Sequence, residues 1–327
     1  MLTRATQIAR MRRVALAALS HYDLPAGVLK FVNHGENTTF RHDSPAGRFL
    51  LRVHRPQRHG RDADPVLAVE SELAWLTALR ADSDLEVPEP LPTRAGAATV
   101  WATAGDDTRV VSVLRWQHGR IHESSPRPVH LRRLGAAMAA LHRQADGWTP
   151  PARFHRIDWN HDAFFGNVMV YGQLPASEVW LLLPDDLRER FGRVAERLAT
   201  VMSAEGDYGL IHADLHLGNA VFQGDRVKLI DFDDCGTGHR LYEVAVALWE
   251  QRDGPDYASF RAALLDGYRG VRDVDVTHLD DFIALRQVAF ALWYTGTAQV
   301  NPAFAARLGA VDNWSRSMLD LVAGGYA

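Results

Sequence analysis

A single cysteine, Cys235, stands in a chain of 327 residues. That scarcity excludes an internal disulfide framework and a multi-cysteine zinc site, and it fits a reducing compartment. Lysine is almost missing. Only Lys30 and Lys228 occur, so nearly all of the 36 basic residues are arginines. An excess of one charge is also lacking: 36 Lys+Arg face 40 Asp+Glu, a net charge of −4. A dedicated nucleic-acid binder presents a basic face, so no nucleic-acid partner is expected. Long apolar runs are absent. The stretch Phe282 to Tyr294 is broken by Arg286 and Gln287, and a spanning helix needs ~20 apolar residues, so no membrane partner is expected. Near the start, Arg4, Arg10, Arg12 and Arg13 precede an apolar run from Val14 to Leu19. That run falls short of the ~7–15 residues of a signal core and reads as one face of an amphipathic helix. A cytoplasmic protein is the expectation.

What is present is an ordinary globular composition, 47% hydrophobic and 23% charged. Such a chain buries a core without staples and is not disordered. At ~150 residues per domain the length suggests two domains or one two-lobed body. After an N-terminal helix over 1–22, strands are expected at Val28 to Val32, Thr38 to His42 and Phe49 to His54. The turn signal Ser44-Pro45-Ala46-Gly47 separates the last two, and Arg52 shares a strand face with Leu50 and His54. Asp64-Pro65 opens a helix over 66–80, and two further strands follow near 98–103 and 109–116. Beyond residues 117–120 helical spacing dominates, over 130–144, 184–205, 239–252, 256–270, 276–295 and 303–322. An aromatic loop, 154–165, lies among them. It contains His155, Asp158, His161 and Asp162, a metal-like set for which packing is the safer reading. Strands first and helices after imply an α+β chain, divided into 1–116 and 117–327.

The most informative segment runs from Leu210 to Asp234, LIHADLHLGNAVFQGDRVKLIDFDD. It reads as a strand, a polar loop, a hairpin over Ala220 to Ile230 and an acidic end. The hairpin folds the chain back and brings Asp231 beside Asn219. Oxygen-bearing side chains of Asp214, Asn219 and Asp231 then converge, which is the chemistry of a divalent-cation site of the Mg²⁺ type. Phosphoryl transfer to a hydroxyl requires a carboxylate at the acceptor and an amide and carboxylate on the metal. The spacing Asp214-x-x-x-x-Asn219 equals that of the kinase catalytic loop. The competing reading is a polar turn capped by its own Asp and Asn.

These residues resemble the aminoglycoside phosphotransferase/choline kinase family. HADLHLGN followed by LIDFDD is similar to that family's catalytic loop and metal segment. Gly35-Glu36-Asn37-Thr38-Thr39-Phe40 resembles its nucleotide loop, and LLRVHRP, SELAWLTAL, VLRWQHGR and ALH fit in order. The stress-response Ser/Thr kinase and homoserine-kinase-like branches look most similar. The resemblance implies a bilobal protein-kinase-like fold, with a small antiparallel-sheet lobe carrying one helix and a larger helical lobe. It also implies ATP- and Mg²⁺-dependent transfer of the γ-phosphate to a hydroxyl.

Carried over residue by residue, Asp214 is the expected catalytic base, and Asn219 and Asp231 are the metal ligands. Gly35, Asn37, Thr38 and Thr39 form the nucleotide loop, which lacks the triple glycine of many kinases. Arg52 stands where most kinases place a phosphate-pairing lysine, and a guanidinium fork can serve there. Glu72 is its expected partner, with Glu70 as competitor. His212 is expected to brace the loop, whereas His216 either faces the site or covers the loop. The acceptor stays open: a hydroxyl of an amino acid, amino alcohol, sugar or aminoglycoside-like molecule, or a protein Ser/Thr. A silent nucleotide-binding regulator is disfavoured because Asp214, Asn219 and Asp231 are all present. Nothing in the sequence reads on the oligomeric state.

Overall fold

Alternating apolar residues over 28–54 build three antiparallel strands, and two more distant segments complete their sheet. The computed structural model describes residues 3–56, 64–203 and 206–322. It divides into two compact units, the first taking in the described residues up to 118 together with 149–155. The strands of the first unit are β1 (Val28–His34), β2 (Thr38–Ser44), β3 (Gly47–Val53), β4 (Pro90–Leu91), β5 (Val100–Ala104) and β6 (Asp107–Arg115). They pair in the order β1-β2-β3-β6-β4, with β5 on β6, and every pairing is antiparallel. Helix α1 (Arg4–Leu19) starts on Thr3, whose hydroxyl accepts from Thr6 N–H at 3.2 Å. Its apolar stripe of Val14, Ala15 and Ala18 is buried in one core with Phe40, Phe49, Leu51 and Val113 of the sheet. Each large side chain there contributes about 1.5–3 kcal/mol by leaving water. Helix α2 (Pro65–Asp82) begins with proline in its first turn, and the Asp64 carboxylate accepts from Val66 and Leu67 N–H at 2.9 and 3.2 Å. The sheet unit therefore carries both helices expected from the sequence, α1 and α2.

The second unit holds the described residues of 119–148 and 156–322. Its helices are α3 (Pro128–Gly147), α4 (His161–Phe165), α5 (Ala176–Trp180), α6 (Asp185–Ser203), α7 (Arg240–Trp249), α8 (Tyr257–Arg269), α9 (Leu279–Ala298), α10 (Pro302–Ala305) and α11 (Leu308–Leu321). Its strands are β7 (Ile157–Trp159), β8 (Val170–Tyr171), β9 (Leu174–Pro175), β10 (Tyr208–Ile211), β11 (Ala220–Gln223), β12 (Arg226–Leu229) and β13 (Gly236–His239). The stripe Leu131, Leu134, Met138 and Leu141 of α3 is fully buried. Glycines set how closely α3 and α8 approach. A Cβ on Gly135 would stand 2.1 Å from the Leu264 carbonyl oxygen, and one on Gly267 would stand 1.9 Å from that of Arg132.

Two expectations change here, and one reaches past the described residues. Residues 154–165 are not one loop: Ile157–Trp159 pairs in parallel with Gly236–His239, and His161–Phe165 is helical. The helix expected over 303–322 is two pieces, α10 and α11. The end of the helix expected over 184–205 includes residues 204–205, which lie outside the described residues.

Candidate active site

The polar loop of the second unit is held by its own backbone and by buried side chains from the helices packed around it. Strand β10 delivers His212, whose ring is buried, with Nε2 2.9 Å from the Ile230 carbonyl oxygen and Nδ1 accepting from Asp214 N–H at 3.4 Å. Hairpin β11–β12 turns at Gly224, φ +60°, and Ile230 N–H donates to the Asn219 carbonyl at 3.0 Å. That bond sets Asp231 one residue beyond the backbone of Asn219. Ala213 and Asp231 adopt left-handed φ values of 67° and 64°. Such conformations cost about 1–3 kcal/mol each and persist only where surroundings enforce them. For Ala213 the enforcement is visible. Its N–H donates to Glu243 Oε1 of α7 at 2.9 Å, and Glu243 Oε2 accepts from His142 Nε2. The other ring nitrogen of His142 meets Tyr268 Oη at 2.8 Å. Buried groups on α3, α7 and α8 thus fix the backbone on which Asp214 stands.

Asp214 is the charge centre of this loop. Arg286 Nη2, from α9, donates to its Oδ1 at 2.5 Å. Asn219 Nδ2 donates to its carbonyl at 2.8 Å and to Oδ2 at 3.0 Å. His216 Nε2 lies 3.7 Å from Oδ2. Burial alone would raise the Asp214 carboxyl. The Arg286 guanidinium, with His216 and His212, reverses that and holds it well below the usual carboxylate range. Burial likewise opposes charge on Arg286, but Asp214 and Tyr242 overcome it and raise its pKa. The Arg286 guanidinium also lies 5.3 Å from the centre of the Trp249 ring. For His216, burial lowers the pKa while Asp214 and Glu250 raise it, and the balance pushes the ring up to about 10. Because the Asn219 amide nitrogen is committed to Asp214, its Oδ1 is the acceptor end. It and the Asp231 carboxylate are oxygen donors of the kind that could hold Mg²⁺.

In the first unit Arg52 sits on the interior strand β3, opposite Thr39 on one side and Ser112 on the other. Its Nη2 meets Glu72 Oε1 of α2 at 2.5 Å, with the two side chains 3% and 1% exposed. Arg52 is not a solvent-facing surface arginine. Glu70, the competitor, accepts from Thr99 Oγ1 at 3.4 Å instead. In the β1–β2 turn, Gly35 N–H donates to the Asn37 carbonyl at 3.1 Å, and Asn37 Oδ1 accepts from Arg55 N–H at 3.1 Å. Arg55 also pairs with Glu36. Thr38 is buried with its hydroxyl 2.7 Å from His34 Nδ1, and the Thr39 hydroxyl donates to the Asn33 carbonyl at 3.5 Å. The turn is therefore ordered by its own side chains.

The metal-like set around 155–162 does not gather. Asp158 accepts from Tyr208 and Thr237, and the His161 ring lies against the Ala195 carbonyl. Trp159 is buried with Nε1 donating to the Asp234 carbonyl at 2.9 Å, and Cys235 is buried. Sequence reasoning missed Arg286, Glu243, Glu250 and Glu123. Arg286 did leave a signal: a charge interrupting an otherwise apolar helix needs a buried partner.

The comparisons with known proteins bear on this geometry. The model of the phosphotransferase enzyme family, APH, matches residues 28–278. The chain belongs to this phosphotransferase family. The match spans both the Arg52–Glu72 pair and the Asp214 loop. An uncharacterized protein of Deinococcus radiodurans is 31% identical to this phosphotransferase over 295 residues, 86% of the chain and 80% of that relative. A homoserine kinase of Sinorhizobium medicae is 26% identical over 249 residues, 75% of this chain and 70% of the kinase. Among solved structures, a microcompartment-associated aminopropanol kinase matches with a TM-score of 0.74 at 28% identity, covering 97% of this chain and 99% of that one. An amicoumacin kinase in complex with AMP-PNP and Ca²⁺ shares the fold, with a TM-score of 0.74 at 19% identity over 97% of this phosphotransferase and 96% of that chain. No helix among the described residues is long and apolar enough to cross a membrane.

Proposed function

We propose that this phosphotransferase uses ATP and Mg²⁺ to place a γ-phosphate on the hydroxyl of a small molecule that also carries an amine. The observation that carries the reading is the Asp214 carboxylate, held ionised between Arg286 and Asn219 on an enforced backbone. A carboxylate kept this acidic is a weak base. It orients the acceptor hydroxyl and takes its proton late, as the bond to phosphorus forms. Asn219 Oδ1 and Asp231 would hold Mg²⁺, which supplies charge neutralisation on the transferring phosphate. Arg52, fixed by Glu72, would contact the α- and β-phosphates through its guanidinium. In this assignment residues 1–116 serve the nucleotide and 117–327 the metal and acceptor.

The acceptor class draws support from the homoserine and aminopropanol kinases to which the chain is similar. Both named acceptors are small and carry a hydroxyl beside an amine. An ATP-consumption screen over amino alcohols, hydroxylated amino acids, aminoglycosides and a generic protein substrate tests this. Mg²⁺-dependent turnover with an amino alcohol or hydroxy amino acid, and none with protein, is the expected result. Phosphorylation of the protein substrate alone would overturn it.

A further inference from the structure

A second group of ligand atoms gathers on the other side of His216 from Asp214. Glu123 lies in the turn before α3, His216 caps the short helical turn Leu217–Asn219, and Glu250 caps the end of α7. One donor atom from each lies within 4.8 Å of the others. His216 Nδ1 stands 3.6 Å from Glu123 Oε1 and 3.6 Å from Glu250 Oε2. Those separations exceed a hydrogen bond, which runs ~2.7–3.2 Å, so a proton on Nδ1 reaches neither carboxylate well. They match two ligands of one tetrahedral ion. Zinc bonds of ~2.0–2.2 Å at a tetrahedral angle put ligand atoms roughly 3.3–3.6 Å apart. The position beneath the group is glycine. A Cβ on Gly218 would stand 2.6 Å from Glu123 Oε1 and 2.7 Å from the His216 ring, so a side chain at 218 would have to push one of them aside.

We propose that Glu123, His216 and Glu250 form an inhibitory site for a divalent transition metal such as Zn²⁺, distinct from the oxygen-donor pair of Asn219 and Asp231. One imidazole nitrogen and two carboxylates, with water in the fourth position, suit zinc and not magnesium. Glu123 is exposed, which gives the ion a path from solvent. Zinc displaces the proton on Nδ1, which lies 3.3 Å from the Gly218 nitrogen, and the ring's other proton stays on Nε2. The proton that Asp214 and Glu250 favour on the ring leaves as the ion binds. Nε2 faces Asp214 Oδ2 at 3.7 Å, the arrangement in which a metal-bound histidine leans on a carboxylate. A shift of roughly 0.5–1 Å closes that contact into a hydrogen bond. Asp214 Oδ2 then accepts from this N–H as well as from Asn219 Nδ2, and the added donor competes with the acceptor hydroxyl. This last step rests on Asp214 being the base; the binding of zinc does not.

The test is calorimetric titration of metal-free protein with ZnCl₂, without nucleotide, for wild type, Glu123→Gln, Glu250→Gln and Asp231→Ala. The expected result is one zinc equivalent that persists in Asp231→Ala and weakens in each glutamine variant. The weakening should exceed the ~10–100-fold typical of losing an outer-shell partner. In turnover assays at saturating Mg²⁺ and ATP, the zinc concentration for half inhibition should rise by the same factor in Glu123→Gln, with basal turnover kept. Zinc binding unaltered in both glutamine variants overturns the site. Altered binding with unaltered inhibition overturns the inhibitory role and leaves the phosphotransferase reading untouched.

Discussion

Removing the arginine of the Arg52–Glu72 pair should damage the protein in two separable ways. The ion pair spans 2.5 Å, and its side chains are 3% and 1% exposed. Arg52→Met therefore leaves the Glu72 carboxylate buried without its cation, and breaking a buried pair from one side costs about 3–5 kcal/mol. Arg52→Met/Glu72→Leu removes both charges and both desolvation penalties, so the double variant should lose no more stability than either single one. Activity should behave differently. If Arg52 also contacts phosphate, the loss is that of a transition-state donor, about 2.7–4 kcal/mol, or ~10²-fold and more in kcat/KM. The double variant cannot recover that, and Arg52→Lys should recover only part, because a point charge replaces a fork. Urea unfolding followed by fluorescence reads the first effect and steady-state kinetics the second. Additive stability losses would refute the pairing energetics. Kinetics of Arg52→Met that match wild type would refute the phosphate role and leave the pair purely structural.

Asp231→Ala should abolish the Mg²⁺ dependence of nucleotide binding in calorimetry, and an unchanged dependence would remove Asp231 from the metal. The His216 ring is pushed up to about 10 from 6.5 in the folded protein. A raised pKa contributes stability that is complete below the unfolded value and fades as pH climbs through the folded one. In chelator-treated protein the urea midpoint should therefore decline between pH 6.5 and 10, and His216→Gln should flatten that limb; equal slopes would contradict the assignment. Gly267→Ala sets a Cβ against the Arg132 carbonyl at 1.9 Å, so thermal melts should show a loss of about 1–3 kcal/mol, the scale of overpacking. A neutral result would mean that α3 and α8 separate at little cost.

Local features of the sequence were the legible ones. Alternation placed β1 to β3, and Asp64-Pro65 marked the start of α2 because the cap and the first-turn proline act within a few residues. The Asp214–Asn219 spacing and the hairpin turn at Gly224 are short-range as well. Partnerships made across the fold left weaker traces. Arg286 reaches Asp214 from 72 residues away, and nothing in the loop announces it. The strand Ile157–Trp159 is only three residues long and exists because Gly236–His239, far along the chain, pairs with it. Aromatic richness there signalled packing correctly, with Trp159 buried, but its secondary structure was set by that distant partner. The crossing of α3 and α8 depends on Gly135 and Gly267 meeting carbonyls of the opposite helix, which composition does not reveal.

In the proposed reaction Asp214 serves the acceptor hydroxyl and not the nucleotide. Asp214→Asn keeps the side chain's size and its place beside Asn219 while removing the charge that accepts the proton. Single-turnover formation of phosphorylated amino alcohol, measured beside calorimetric Mg²⁺–ATP affinity, tests this most directly. The expected result is a rate lowered by ~10²–10⁴-fold, the range of a lost general base, with nucleotide affinity within a few-fold of wild type. A variant that keeps more than a tenth of the wild-type rate, or one that loses Mg²⁺–ATP binding together with the rate, would contradict it.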